Sequence, residues 1–140
     1  MKTKYLCPHC KSNISIQEDI VLIAENKSNE KGVVLLHTEI GNYTSKKSPD
    51  FYIKEGEEAE FFCPICSKSL DYKFKLGLVC LLFINETKQE STIIFSKVYQ
   101  KKCTYQIIDK KVYSYGECAK KFSNPEWFFI KNKKPCYKKG

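Results

Sequence analysis

Two copies of one short motif, Cys-Pro-x-Cys, constrain the fold of this 140-residue chain more than any other feature. The motifs lie at Cys7-Pro8-His9-Cys10 and at Cys63-Pro64-Ile65-Cys66. Their surroundings match at an offset of 56 residues: Tyr5 with Phe61, Ile14 with Leu70, and Lys11-Ser12 with Ser67-Lys68 in reversed order. The repetition predicts that each copy is a strand end, a tight turn that we call a knuckle, and a return to an apolar residue.

The knuckles carry the residue types that bind a soft metal ion. Two thiolates separated by two residues can face one ion across a turn, and four thiolates complete the closed tetrahedral shell that is usual for structural zinc. The sequence therefore predicts one structural zinc ion bound by Cys7, Cys10, Cys63 and Cys66. Iron in a rubredoxin-like cage is the alternative ion, since its four-thiolate ligation is similar. A pair of redox motifs and two disulfides are the alternative uses of these cysteines.

The long separation of the knuckles does not argue against a shared ion. There are 52 residues between Cys10 and Cys63, whereas compact ribbons have about 15 to 20. Closing a loop about three times longer costs only about 1 kcal/mol more, against roughly 10 to 16 kcal/mol of apparent zinc affinity. His9 lies inside a shell that four cysteines already complete, so we interpret it as solvated or outside the ligand set.

The rest of the chain is typical of antiparallel strands. Short apolar and β-branched runs are separated by polar turns: Ile20–Ala24, Val33–His37, Glu58–Phe62, Tyr72–Ile84, Thr92–Tyr99, Cys103–Ile108 and Val112–Tyr115. We expect a mainly β zinc-ribbon domain over residues 1–116, with inserted and following strands and little helix. Residues 41–58 are polar and are predicted to form a loop that could reach over the metal. Residues 117–140 form a lysine- and aromatic-rich extension, with one short helix after Asn124.

The positive charge is concentrated at the C-terminal end. Residues 97–140 contain 12 lysines and 3 acids, a balance of +9, whereas residues 1–96 contain 12 lysines and 13 acids. The chain has no arginine, so it favours contact with phosphates over bidentate reading of bases. The candidate residues for contact with nucleic acid or another partner are Lys101, Lys102, Lys110, Lys111, Lys120, Lys121, Trp127, Lys131, Lys133, Lys134, Lys138 and Lys139.

Three segments also carry a resemblance to a protein family. They are Leu35-Leu36-His37-Thr38-Glu39-Ile40-Gly41-Asn42-Tyr43, the run from Glu55 through Cys66, and Phe95-Ser96-Lys97. Together with the two knuckles they are similar to a group of small uncharacterised bacterial zinc-ribbon proteins, over residues 5 to 108. The resemblance implies the metal and the fold, with Cys7, Cys10, Cys63 and Cys66 as ligands, and it implies no activity.

These observations predict a zinc-binding module that is not an enzyme. Its basic C-terminal part would associate with nucleic acid, with RNA or a ribonucleoprotein preferred because exposed aromatic residues suit unpaired bases. A protein-protein interaction adaptor with a structural zinc is the alternative, and a thiol redox protein is the less favoured one. The longest apolar run, Leu76–Ile84, has nine residues where a membrane span needs about 20, and no apolar leader precedes Cys7, so we expect a cytoplasmic protein. Nothing in the sequence indicates a small-molecule substrate.

Overall fold

The computed structural model describes residues 3–74 and 76–117, and the elements of this part of the chain are strands. They are β1 (Lys4–Leu6), β2 (Ser15–Ile16), β3 (Asp19–Glu25), β4 (Lys31–His37), β5 (Ser45–Lys47), β6 (Glu60–Phe62), β7 (Leu78–Ile84), β8 (Glu90–Ser96), β9 (Thr104–Ile108) and β10 (Lys111–Tyr115). The prediction of a mainly β fold is confirmed. Within the same residues no helix is long and apolar enough to cross a bilayer.

The strands form two antiparallel sheets. The N-terminal sheet has the order β2-β3-β4-β5, and β6 joins it by pairing with β3. Strands β2 and β6 share one edge of β3, because β2 pairs with its first residues and β6 with its last. The C-terminal sheet has the order β1-β7-β8-β9-β10. Apart from β1, this is the meander that the sequence predicts.

The two sheets repeat the same pairing register. Strands β3, β4 and β5 correspond to β7, β8 and β9 at an offset of 59 residues. Asp19 pairs with His37 as Leu78 pairs with Ser96, and Leu36 pairs with Ser45 as Phe95 pairs with Thr104. With β1 equivalent to β6, the chain consists of an N-terminal half (residues 4–47) and a C-terminal half (residues 60–108) of equivalent architecture.

The two halves exchange their first strands. Strand β1 of the N-terminal half pairs with β7 of the C-terminal half, and Tyr5 lies opposite Phe83. Reciprocally, β6 of the C-terminal half pairs with β3, and Phe61 lies opposite Ala24. Because each knuckle directly follows one of these exchanged strands, both knuckles lie at the boundary between the halves.

The main hydrophobic core lies between the halves and takes equivalent residues from both. Its buried members include Ile20 and Leu22 on β3 and their counterparts Val79 and Leu81 on β7. Tyr5 and Phe61, from the exchanged strands, belong to the same core, as do Cys7 and Cys63. The first cysteine of each knuckle is thus held by packing.

Several of the predicted boundaries are wrong. The strand predicted over Thr92–Tyr99 ends at Ser96, and the strand predicted over Glu58–Phe62 begins at Glu60. The strand predicted over Tyr72–Ile84 begins only at Leu78, because Tyr72 lies across a turn and its backbone N–H donates to the carbonyl of Leu78 at 2.8 Å. The segment predicted as a loop, residues 41–58, contains β5, which pairs with the free edge of β4. Further along the same segment Phe51 and Ile53 are buried, so much of it packs onto the N-terminal sheet.

Candidate metal centre

The two knuckles have the same backbone hydrogen bonds. In the first, the N–H of Lys11 donates to the carbonyl of Cys7 at 2.9 Å, and in the second Ser67 donates to Cys63 at the same distance. The return residues pair with the preceding strands in the same way, with N–O distances of 2.8 Å from Ile14 to Tyr5 and 2.9 Å from Leu70 to Phe61. The sequence repeat at offset 56 is therefore a structural repeat.

The residue after each knuckle has a left-handed backbone conformation. Lys11 has a φ of 63° and Ser67 has a φ of 68°. Glycine is the usual residue for this conformation, because a Cβ makes it less favourable. Both knuckles retain the turn geometry without glycine, and in both the N–H of this residue donates to the carbonyl of the first cysteine.

The four predicted ligands converge on one point. The sulfur atoms of Cys7, Cys10, Cys63 and Cys66 all lie within 4.8 Å of one another. Across the boundary, the distance from Cys7 Sγ to Cys66 Sγ is 3.8 Å, and that from Cys10 Sγ to Cys63 Sγ is also 3.8 Å. A tetrahedron with metal–sulfur bonds of about 2.3 Å has sulfur–sulfur edges of about 3.8 Å. These four residues could therefore hold one metal ion.

Backbone donors surround the buried sulfur of each knuckle. The N–H of His9 lies 3.3 Å from Cys7 Sγ, and the N–H of Ile65 lies 3.3 Å from Cys63 Sγ. The next amide in each knuckle, from Cys10 or Cys66, adds a second hydrogen bond of 3.5 or 3.4 Å to the same sulfur. Such hydrogen bonds stabilise thiolate charge, as a metal ligand requires.

The thiols differ in exposure and acidity. Cys7 and Cys63 are buried, and burial raises the pKa of both, to about 12 for Cys7. Cys10 is exposed, and hydrogen bonds from Ser12 lower its pKa to about 6. A buried thiol with a raised pKa ionises near neutral pH only when a cation compensates its charge. Four sulfurs that converge from both knuckles, with cross-boundary distances of 3.8 Å, fit one bound cation better than two separate redox pairs.

His9 contacts the opposite knuckle. Its Nε2 donates to the carbonyl oxygen of Ser69 at 2.9 Å, beyond the second cysteine pair. The imidazole therefore lies outside the four-sulfur cluster and links the two knuckles. At the equivalent position of the second knuckle Ile65 is exposed.

The four described lysines proposed for partner contact lie at two separate places. Lys101 and Lys102 lie between β8 and β9, whereas Lys110 and Lys111 lie at the turn between β9 and β10, so β9 separates the pairs. Gly116 follows β10 and lies so close to the carbonyl of Lys102 that a side chain there would collide with it. The chain thus leaves the C-terminal sheet beside Lys101 and Lys102. The other candidates lie outside the described residues: Lys120, Lys121, Trp127, Lys131, Lys133, Lys134, Lys138 and Lys139. The predicted helix after Asn124 lies there too.

The sequence does not predict an ion-pair cluster around the nearly buried Lys97, beside the second knuckle. Lys97 Nζ lies 2.7 Å from Glu60 Oε1 and 3.2 Å from Asp71 Oδ1, and its side chain is only 9% exposed. Burial alone would lower the pKa of Lys97, but its hydrogen bonds to the two carboxylates outweigh this effect and raise it. The cluster ties together the segments before and after the second knuckle. Its signal in the sequence is a lysine two residues after Phe95, directly beyond the apolar run of β8.

Comparison of the chain with family models, with curated proteins and with solved structures finds no match. The resemblance to bacterial zinc-ribbon proteins and the cytoplasmic location stay predictions. The β architecture and the four-cysteine cluster stand on the structure alone.

Proposed function

We propose that this protein is a structural zinc module in which one ion fastens two equivalent halves together. The observation that carries the proposal is the convergence of four sulfurs, two from each half, at the boundary where strands β1 and β6 are exchanged. A site with four protein thiolates has no open coordination position for a substrate, so it favours a structural role over a catalytic one. Metal affinity would then add directly to the stability of the fold.

Metal analysis of the purified protein tests this proposal. We expect one equivalent of zinc per chain, and loss of the native fold when a strong chelator removes it. Iron at the same stoichiometry would replace zinc as the resident ion, and less than half an equivalent of any metal would contradict the proposal. Thiol labelling distinguishes the redox alternative at Cys10, which is exposed and has a lowered pKa: bound zinc protects this thiol, whereas a free redox thiol there reacts rapidly.

We further propose that the basic C-terminal part associates with nucleic acid, preferably RNA. The charge of +9 over residues 97–140 supports a phosphate-directed interaction, and lysine without arginine favours backbone over base readout. The position of Gly116 beside the carbonyl of Lys102 supports a larger role for Lys101 and Lys102 than for Lys110 and Lys111. Lys102 lies beside Gly116, close to where the described chain ends, whereas Lys110 and Lys111 lie at the other end of β9.

A matched pair of double variants tests this difference. K101Q/K102Q and K110Q/K111Q each remove two charges, at opposite ends of β9. We expect the first to weaken binding to a single-stranded RNA more than the second, and to reduce the salt slope by about 0.7 for each lysine–phosphate pair that it removes. Deletion of residues 119–140 should abolish binding. Retention of binding with an unchanged salt slope after the deletion would contradict the proposal.

A protein-interaction adaptor is the second candidate, and exposed apolar side chains within the second knuckle and in the loop before β7 support it. Ile65 lies within this knuckle and is 62% exposed, and Leu76, in the loop before β7, is 96% exposed. Isolated apolar side chains are common on surfaces, so the distinction is experimental. A partner that survives nuclease and high salt but is lost in Ile65→Ser would favour the adaptor over nucleic-acid binding.

A further inference from the structure

A cavity of about 90 Å³ lies between the inner faces of the two sheets. Its interior is apolar, with side chains from both halves: Leu36, Ile40, Phe61, Leu81, Ile93 and Phe95. Protein cores contain few voids larger than a water molecule, because packing is close to that of organic crystals. A cavity of this size at the boundary of the halves is therefore a feature that needs an explanation.

The structural repeat explains why the cavity exists. Leu36 and Phe95 are equivalent positions at the offset of 59, and so are Ile40 and Tyr99, and all four line the cavity. At both positions the N-terminal half has an aliphatic residue where the C-terminal half has an aromatic one. The cavity therefore lies beside the smaller side chains of the N-terminal half, in space that aromatic side chains at those two positions would fill.

Polar groups lie at one end of the cavity. Ser45 Oγ accepts a hydrogen bond from Gln100 Nε2 at 2.6 Å and lies 3.1 Å from the hydroxyl of Tyr99. These residues are half-buried, and the exposed Gly41 and Lys101 beside them bring the cavity to solvent. An apolar interior with a few convergent polar groups at an accessible mouth is the usual composition of a small-molecule site.

We propose that this cavity binds a small aromatic molecule with one hydrogen-bonding group. The ring would occupy the space beside Leu36 and Ile40, against the aromatic side chains of Phe61 and Phe95. Its polar group would reach the hydroxyl of Tyr99 or the amide of Gln100. An engineered apolar cavity of about 150 Å³ takes up benzene, and the present cavity adds an open mouth to a smaller interior. Among the described lysines proposed for partner contact, Lys101 also lines the cavity, so the two proposed sites share this residue.

The proposed site also lies close in sequence to the metal centre. Tyr5 and Phe61, which line the cavity, each precede the first cysteine of a knuckle by two residues. The hydroxyl of Tyr5 donates to the carbonyl of Thr38 at 2.6 Å, which fixes the strand against the segment after β4. A bound ion that orders β1 and β6 would therefore hold two walls of the cavity in place.

The test uses the full-length, zinc-loaded protein with phenol as the probe and benzene as the matched probe without a hydroxyl. Methyl-group NMR should show saturable shifts at Leu36, Ile40, Leu81 and Ile93, with tighter binding of phenol than of benzene. Leu36→Phe introduces the residue that the C-terminal half has at the same place, and it should weaken phenol binding at least about tenfold. Leu35→Phe, on the opposite face of β4, should leave the affinity unchanged.

Two results would overturn the proposal: shifts that do not saturate, and phenol binding that Leu36→Phe leaves intact. Equal affinity for benzene and phenol would overturn the role of the polar mouth. If Leu36→Phe does not fold, Ile40→Tyr introduces the residue of the second half at the other equivalent position and gives the same test. Retained zinc content and an unchanged circular dichroism spectrum establish that either variant is folded.

Discussion

The two halves of the molecule share their backbone pairing but differ in how they use the outer face of the sheet. On β3 of the N-terminal half, burial alternates along the strand, and the outward-facing Val21 and Ile23 are half-exposed. On β7 of the C-terminal half, Leu78 through Leu82 are all buried. The outward-facing residues there form a second cluster with Tyr72, Tyr105 and Ile107. One register therefore supports both a one-sided and a two-sided sheet.

The features that bring the four cysteines together are the same in both halves, whereas the outer faces of the sheets differ. The exchanged strands, the knuckles and the register are equivalent on both sides, and the four sulfurs are arranged with matching distances across the boundary. The outer faces, the hairpin contacts and the cluster around Lys97 are not equivalent. We therefore expect symmetric effects from changes at the knuckles and asymmetric effects from changes elsewhere.

The largest effect should follow from removing one buried ligand from either half. Cys7→Ser and Cys63→Ser each leave three thiolates, and we expect both to abolish stoichiometric zinc binding and to unfold most of the chain, since structural zinc contributes roughly 10 kcal/mol or more. Metal analysis and circular dichroism measure both effects. Cys103→Ser is the matched control, because this thiol is buried outside the cluster. If either ligand variant retained one equivalent of zinc and a native spectrum, the shared site would be refuted.

A smaller effect is expected where the halves differ in side-chain volume. Gly32 on β4 lies against the ring of Phe51, and a Cβ there would collide with the base of that ring. At the equivalent position on β8 the C-terminal half has Ser91. Gly32→Ser should therefore cost about 1 to 3 kcal/mol. Ser91→Gly should have a cost of a different origin, because it removes the hydrogen bond that Gln106 Nε2 donates to Ser91 Oγ at 3.1 Å. Urea unfolding of the zinc-loaded protein measures the cost of Gly32→Ser, and a cost below about 0.5 kcal/mol would show that Phe51 can move aside.

The two hairpins give a third comparison. Asn26 and Asn85 occupy equivalent turns and accept the same pair of backbone hydrogen bonds. Only Asn26 is buried, and its Nδ2 also donates to the carbonyl of Tyr52 at 2.7 Å. We expect Asn26→Ala to cost about 1 to 2 kcal/mol and Asn85→Ala about half as much. A larger cost for Asn85→Ala in thermal unfolding would contradict the role of the hydrogen bond to Tyr52.

The parts of the fold that could be predicted from sequence are those with a local signal. The cysteines reveal the candidate metal site because few other arrangements use two Cys-Pro-x-Cys motifs, and short apolar runs reveal the strands because their period is local. The repeat was visible only around the knuckles. Beyond Leu70 the second half has three additional residues before its next strand, so the offset changes from 56 to 59 and the similarity is lost.

The parts that could not be predicted depend on contacts between distant segments. The sequence of β1 or β6 does not show that the two strands are exchanged. Each strand would have the same alternation of side chains if it paired within its own half. The three-residue β5 is polar and pairs only because β4 presents a free edge. Similarly, the cavity results from two differences in side-chain size, Leu36 against Phe95 and Ile40 against Tyr99. These positions can be recognised as equivalent only from the strand register.

The smallest effect concerns the ion pairs, which also differ between the halves. In the N-terminal half Lys46 lies 3.6 Å from Asp19 and is largely exposed, whereas in the C-terminal half Lys97 is nearly buried between two carboxylates. We expect Lys97→Met to cost about 1 kcal/mol, since both carboxylates are half-exposed, and Lys46→Met to cost less than about 0.5 kcal/mol. The pKa of Lys97 is raised above its usual 10.5. Its stabilisation is therefore complete below pH 10.5 and is lost as the pH rises through the higher folded-state value. The difference between the wild-type protein and Lys97→Met in urea unfolding should accordingly shrink above pH 10.5, and a difference that grew there would refute the ion-pair role.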